Sequence, residues 1–127
     1  MKKIPLLTKT AFHTTNIVLI LIYLYPGSII GWLFYGDIQK QPQLTLDFII
    51  FSSNHVYAFM ILSLLGVISY NKQIMILFIY LFFISIVLEL CHALIPERSF
   101  EYSDLFGNFF GVILIYTLFK LYKFLKN

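Results

Sequence analysis

Four long apolar segments constrain this chain more than any other feature. They cover residues 17–35, 48–69, 74–95 and 105–124, and each is long enough to cross a hydrocarbon core of about 30 Å as a helix. The segments are continuously apolar and do not alternate, which disfavours the strands of a membrane barrel. Only short loops remain in a chain of 127 residues. The pattern predicts an all-α, polytopic membrane protein: one domain, residues 1–127, built as a small bundle of four transmembrane helices.

The charged residues predict the orientation of that bundle. Seven of the nine basic residues fall at the N-terminus, in the middle loop or at the C-terminus: Lys2, Lys3, Lys9, Lys72, Lys120, Lys123 and Lys126. The other two bases, Lys40 and Arg98, share the remaining loops and their flanks with all six acidic residues: Asp37, Asp47, Glu89, Glu97, Glu101 and Asp104. Because basic loops stay in the cytoplasm, both termini are expected inside and the acidic loops outside. The sequence pI of 9.0 is therefore a topology signal, with membrane lipid and not nucleic acid as the expected partner.

Local features within the segments predict shape and packing. Pro26-Gly27 falls near the middle of the first segment, where we expect a kink. Gly107 and Gly111 have the spacing that lets helices approach closely, which we assign to packing within the bundle and not to a dimer. Cys91, the only cysteine, lies in an apolar run and is expected to be a small packing residue.

Ionisable side chains cluster at the outer ends of the last three segments. Glu89 and His92 share a helix face because they are three residues apart, and Asp104 and Asn108 do so at a spacing of four. A charged group at bilayer depth costs roughly 2.5–3.5 kcal/mol on insertion scales, which makes such residues candidates for function. The sequence therefore predicts one outward-facing pocket that contains His55, Glu89, His92, Arg98, Asp104 and Asn108.

Two hypotheses follow from the chemistry of these residues. Arg98 has the planar, permanently charged group that suits phosphate or carboxylate, and His55 or His92 can transfer a proton. These features suit an enzyme or binder that acts on a lipid or polyprenyl-phosphate headgroup. In the other hypothesis Arg98 pairs with Asp104 or Glu89 in a buried ion-pair network, and the protein is not an enzyme.

A metal site is a further alternative. Glu89-x-x-His92 has the spacing found in di-iron bundles, but those sites need a second such pair and two more glutamates, which this chain lacks. A lone zinc held by His55, Glu89 and His92 remains possible chemically. The sequence reading assigns no metal and no cofactor.

The polar residues resemble the pattern of the VanZ-like membrane proteins. That family has a His followed four residues later by an aromatic, then Glu-x-x-Gln, an apolar pair, Pro-x-Arg, an Asp six residues after the Arg, and Asn-x-x-Gly. The matching residues here are His55 and Phe59, Glu89-Leu-Cys-His92, Pro96-Glu-Arg98, Asp104, Asn108 and Gly111. The resemblance covers residues 51–112, and the spacing from the Arg to the Gly is its most specific part.

The resemblance implies a four-helix protein of the bacterial cytoplasmic membrane. It also implies a link with resistance to the glycopeptide teicoplanin, but it supplies no reaction. From the residues themselves, the first expectation is a cell-envelope role without turnover. Two departures bear on activity: His92 replaces the family's Gln, and Phe51-Ser52 replaces its Asp-Lys before the His. The Gln in the family argues against a zinc ligand at the position of His92.

Overall fold

The computed structural model of this protein describes residues 3–127, and it is all-helical. Its helices are α1 (Lys3–Leu24), α2 (Ile29–Tyr35), α3 (Ser53–Ser69), α4 (Ile74–His92) and α5 (Tyr102–Lys126). No β-sheet is present in residues 3–127. The predicted all-α class is confirmed. Lys2, one of the seven bases used to predict the orientation, lies outside the described residues.

Three helices are long and apolar enough to cross a membrane. They span Pro5–Leu24, Ile74–His92 and Tyr102–Lys126. The apolar helix α3 has 17 residues, which at about 1.5 Å per residue gives roughly 26 Å, short of a core of about 30 Å. Met75 and Phe83 of α4 are 73% and 63% exposed, while Glu89 and Asn108 are completely buried. Apolar groups outside and ionisable groups inside are the arrangement of a membrane protein.

The centre of the bundle is α3, which packs against α1, α4 and α5. Its residues Phe59 and Leu62 meet Leu81 of α4 and Val112 of α5 in a continuous buried cluster. Tyr23 near the end of α1 contacts His55 at the start of α3 and His92 at the end of α4, and His55 lies beside Asp104 at the start of α5. The ends of α1 and α4 therefore meet the beginnings of α3 and α5.

Two glycines bring α5 against the backbone of α3. A Cβ atom at Gly107 would lie 2.8 Å from the carbonyl oxygen of Ser52, and one at Gly111 would lie 2.6 Å from that of Val56. The helices can approach this closely only because neither position has a side chain. The spacing serves packing within the bundle, as the sequence indicated.

The first apolar segment differs from its predicted boundaries of 17–35. Helix α1 starts at Lys3 and includes Thr8 and Thr10, whose hydroxyls donate to carbonyl oxygens of their own helix at 3.0 and 2.9 Å. The helix ends at Leu24, and the expected kink at Pro26-Gly27 is a complete break. Gly27 has a φ of 116°, a conformation that excludes helix.

A short helix follows the break. The Ser28 hydroxyl accepts a hydrogen bond of 2.9 Å from the amide of Gly31, which caps the N-terminus of α2. Gly36, with φ 65°, ends α2 in the left-handed conformation. The predicted first segment is thus two helices joined by a bend.

The other boundaries shift by a few residues. Helix α3 begins at Ser53 and not at 48, because Phe48 and Phe51 exchange backbone hydrogen bonds of 2.9 and 2.7 Å in a tight turn. The carboxylate of Asp47 accepts the amide of Ser53 at 3.1 Å and marks the start of the helix. Helix α4 ends at His92 rather than at 95, and α5 runs over Tyr102–Lys126 rather than 105–124.

Candidate functional site

Five of the six predicted site residues lie together where α1 and α4 end and α3 and α5 begin. His55 comes from the first turn of α3, Glu89 and His92 from the last turn of α4, and Asp104 and Asn108 from the start of α5. Contacts of 3.5 Å or less link all five, partly through Tyr23 of α1. We call these five residues, together with Tyr23, the polar cluster.

His55 stands between the buried part of the cluster and its open side. Its Nδ1 lies 2.9 Å from the amide oxygen of Asn108 and 2.9 Å from the hydroxyl of Tyr23. Because an amide oxygen can only accept, Nδ1 carries the hydrogen and Nε2 has the free lone pair. That Nε2 faces the Asp104 carboxylate at 3.5 Å, and both side chains are partly accessible, at 14% and 18%.

Tyr23 is the member of the cluster that the sequence reading missed. Its ring stacks on His92, with centroids 5.5 Å apart at 14°, and meets His55 edge-on at 4.8 Å. Its hydroxyl also donates to the Asn108 oxygen at 3.1 Å. No sequence signal distinguished Tyr23 from the other aromatic residues of the apolar segments.

Tyr23→Phe is expected to destabilise the fold by about 1–2 kcal/mol, because it removes hydroxyl contacts to two partners inside the buried cluster. Thermal unfolding in detergent, followed by circular dichroism, measures the loss. Tyr122→Phe is the matched control, since Tyr122 is 57% exposed. Equal melting temperatures for the two variants would contradict this role of the Tyr23 hydroxyl.

Glu89 and His92 form a completely buried pair. The Glu89 Oε1 accepts the backbone amide of Glu101 at 3.1 Å and lies 3.3 Å from Nδ1 of His92. The Nε2 of His92 donates to the carbonyl oxygen of Tyr23 at 2.9 Å, since that oxygen can only accept. A hydrogen bond between Oε1 and Nδ1 requires a hydrogen on one of these two atoms. The pair links α4 to α1 and to the start of α5.

Arg98 does not form the ion pair that the non-enzyme hypothesis assigned to it. Its guanidinium donates to the carbonyl oxygens of Tyr25 at 3.2 Å, Ile22 at 3.2 Å and Gly27 at 2.6 Å. These are the carbonyls released where α1 ends, and a cation there also interacts favourably with the helix dipole. The expected ion pair of Arg98 with Asp104 or Glu89 is therefore wrong, because backbone oxygens occupy the guanidinium.

A pocket of about 630 Å³ opens beside the polar cluster. Its apolar lining residues include Leu19, Ile22 and Phe34, and its polar lining residues include His55, Arg98 and Asp104. The pocket therefore offers both apolar and polar groups to a single ligand.

The residues whose ligand atoms converge differ from the alternative zinc set of the sequence reading. One atom each from His55, Glu89 and Asp104 lie within 4.8 Å of one another. His92 was the expected third ligand, but both of its ring nitrogens are engaged, one by Glu89 and one by the Tyr23 carbonyl. Asp104 stands in its place.

The cluster thus combines a histidine with an accessible lone pair, a carboxylate beside it and a buried glutamate–histidine pair. Such a set can hold a proton, a cation or a hydrogen-bonding headgroup. The chain matches no protein-family model, and no curated protein or solved structure is significantly similar to it.

Proposed function

We propose that this chain is a multi-pass protein of the bacterial cytoplasmic membrane, with α3 as a fourth spanning helix and both termini inside. Support comes from the connection between α3 and α4, which has only four residues. Two helices joined so tightly run side by side in opposite directions, so α3 lies alongside the apolar helix α4. Lys72 in that turn and Lys120, Lys123 and Lys126 near the end of α5 give one end its positive charge. The polar cluster then faces outward.

The proposed function is a cell-envelope role in which the pocket binds the headgroup of a membrane lipid or of a lipid-linked cell-wall precursor. The observation that carries it is the mixed lining of the pocket, with apolar side chains such as Leu19, Ile22 and Phe34 and polar side chains such as His55 and Asp104. A headgroup joined to an apolar chain presents both kinds of group. Ligand pockets commonly combine a mainly apolar wall with a few placed polar groups.

Binding without turnover is the form of this function that the contacts favour. The cation expected to hold a reacting phosphate, Arg98, is committed to the backbone of the α1–α2 break. Glu89 and His92 are paired with each other and shielded from the pocket. The alternative, an enzyme acting on the same headgroup, would use the accessible pair of His55 and Asp104 as acid and base.

Glycopeptide resistance is the second candidate, and it rests on the VanZ-like resemblance. His55, Asp104 and Asn108 belong to the resembling pattern, and they are direct neighbours in the fold. If the headgroup bound at this site belongs to a cell-wall precursor, its binding changes how much of that precursor is accessible to a glycopeptide at the membrane surface.

Expression in a teicoplanin-sensitive Gram-positive host is expected to raise the inhibitory concentration of teicoplanin. Asp104→Ala should abolish the rise, because it removes the carboxylate at the polar wall of the pocket. Asp37→Ala is the matched control: its carboxylate accepts the amide of Gln39 in the loop after α2, away from the pocket, and should leave the rise intact. All three proteins are compared at equal abundance in the membrane.

The outcomes separate the two candidates. No rise with the intact protein would remove glycopeptide resistance. Binding of the purified protein to polyprenyl phosphate or phosphatidylglycerol in nanodiscs then tests the headgroup proposal alone. Equal binding by the intact protein and Asp104→Ala would contradict a headgroup site at this pocket.

A further inference from the structure

We propose that His55, Glu89 and Asp104 bind a divalent transition-metal ion, with Zn²⁺ as the best match. This inference concerns the metal alone and does not depend on the proposed function. One nitrogen and two carboxylate oxygens from three different helices lie within 4.8 Å of one another. Catalytic zinc sites hold the ion with three protein ligands and leave a fourth position open, and histidine nitrogens and carboxylate oxygens are both zinc ligands.

The unsatisfied carboxylate of Glu89 is the second observation. Glu89 is completely buried, and its Oε1 accepts the amide of Glu101 and contacts His92. Its other oxygen, Oε2, has no hydrogen-bond partner. A buried carboxylate oxygen without a partner is costly, and native proteins rarely leave one unsatisfied. A cation held between Glu89, His55 and Asp104 would supply the missing partner.

His55 is already oriented as a metal ligand. Its Nδ1 donates to the Asn108 oxygen at 2.9 Å, so the lone pair of Nε2 is free toward Asp104. Histidine ligands almost always donate their second ring N–H to a carbonyl or carboxylate oxygen, which fixes the tautomer and the ring orientation. Asn108 plays that part here and is itself completely buried.

The spacing fits zinc. Two ligands of a tetrahedral Zn²⁺ at about 2.0–2.1 Å lie roughly 3.3 Å apart, and Nε2 of His55 lies 3.5 Å from Oδ1 of Asp104. All three ligand atoms lie within 4.8 Å of one another, so each separation must close by at most about 1.5 Å to reach the tetrahedral value. Ca²⁺ and Mg²⁺ prefer six or more oxygen ligands, so a three-residue set with an imidazole disfavours them.

The open coordination position would face the pocket. His55 and Asp104 both line it, whereas Glu89 lies behind them. An ion held by the three residues is thus accessible to water or to a ligand oxygen from the pocket side only. Glu89 is then the buried ligand, and His55 and Asp104 are the ligands that are accessible from the pocket.

Zinc titration of the purified, chelator-treated protein in detergent tests the proposal. We expect one Zn²⁺ per chain, a rise in melting temperature with Zn²⁺ but not with Mg²⁺, and a visible spectrum of tetrahedral Co²⁺ on cobalt substitution. Asp104→Asn and Glu89→Gln should weaken zinc binding by at least about 100-fold, because loss of even an outer hydrogen-bond partner costs 10–100-fold. Both substitutions preserve side-chain size. His13→Ala is the control, since His13 bonds to Tyr70 at the opposite end of the bundle.

Two results would overturn the proposal. One is the lack of saturable zinc binding by the wild-type protein, and the other is unchanged affinity in Asp104→Asn. If Glu89→Gln does not fold, the wild-type cobalt spectrum and the Asp104→Asn titration still decide. Neither measurement involves a lipid or an antibiotic, so failure of the metal site leaves the proposed function open to its own tests.

Discussion

Gly111→Ala is expected to lower the stability of the bundle by about 2–4 kcal/mol. The added Cβ would lie 2.6 Å from the carbonyl oxygen of Val56 and 3.0 Å from the amide nitrogen of Met60. Both are backbone atoms of α3, so relief requires the two helices to separate, and overpacking of a tight interface costs about 1–3 kcal/mol or more. Separation would also disturb Asn108 and His55, which bond across the same interface. The measurement is the melting temperature of the purified protein in detergent.

Gly66→Ala is the matched control, because it is the same substitution inside a helix. A Cβ at Gly66 would meet the side-chain ends of Leu77 at 2.8 Å and Phe12 at 3.0 Å, and these can rotate away. Alanine also gains roughly 1 kcal/mol of helix propensity over glycine. We therefore expect a near-neutral effect at Gly66, and equal losses at the two glycines would contradict the close backbone contact at Gly111.

The sequence was informative about the helices because apolar length is a local property. The last three segments became α3, α4 and α5 with shifts of a few residues, and the polar ends of those segments met as expected. The first segment was less predictable. Thr8 and Thr10 are polar and were expected to precede the first helix. Each hydroxyl instead donates to a carbonyl oxygen of α1, which begins at Lys3.

The sequence predicted which residues belong to the site but not which groups bond to each other. Charge density and spacing identified His55, Glu89 and Asp104, because ionisable groups are rare in apolar helices. Pairing depends on side-chain direction and on backbone groups that no sequence pattern reports. Tyr23 resembles any other aromatic of a membrane helix until its hydroxyl meets His55. The carbonyls that engage Arg98 become available only because α1 stops at Leu24.

Arg98→Ala is expected to remove folded protein from the membrane and to cost about 3 kcal/mol in the purified state. Three hydrogen bonds from the guanidinium hold the carbonyls of Ile22, Tyr25 and Gly27 at the α1–α2 break. Bonds from a charged donor contribute about 1.5–3 kcal/mol each when buried, and the partial exposure of Arg98 reduces that sum. Membrane abundance by immunoblot and melting temperature in detergent measure the effect.

Two variants separate a structural arginine from a ligand-binding one. Arg98→Lys keeps the charge at the end of α1 but loses the fork that reaches three carbonyls at once, so we expect an intermediate loss of stability. Lys40→Ala removes a base that lies over the Tyr35 ring at 4.3 Å and should cost at most about 1 kcal/mol. If Arg98→Ala instead folds at wild-type abundance and melting temperature but loses ligand binding, the guanidinium serves the pocket. The break between α1 and α2 must then be held by its own turn, through the Ser28 cap and the left-handed Gly36.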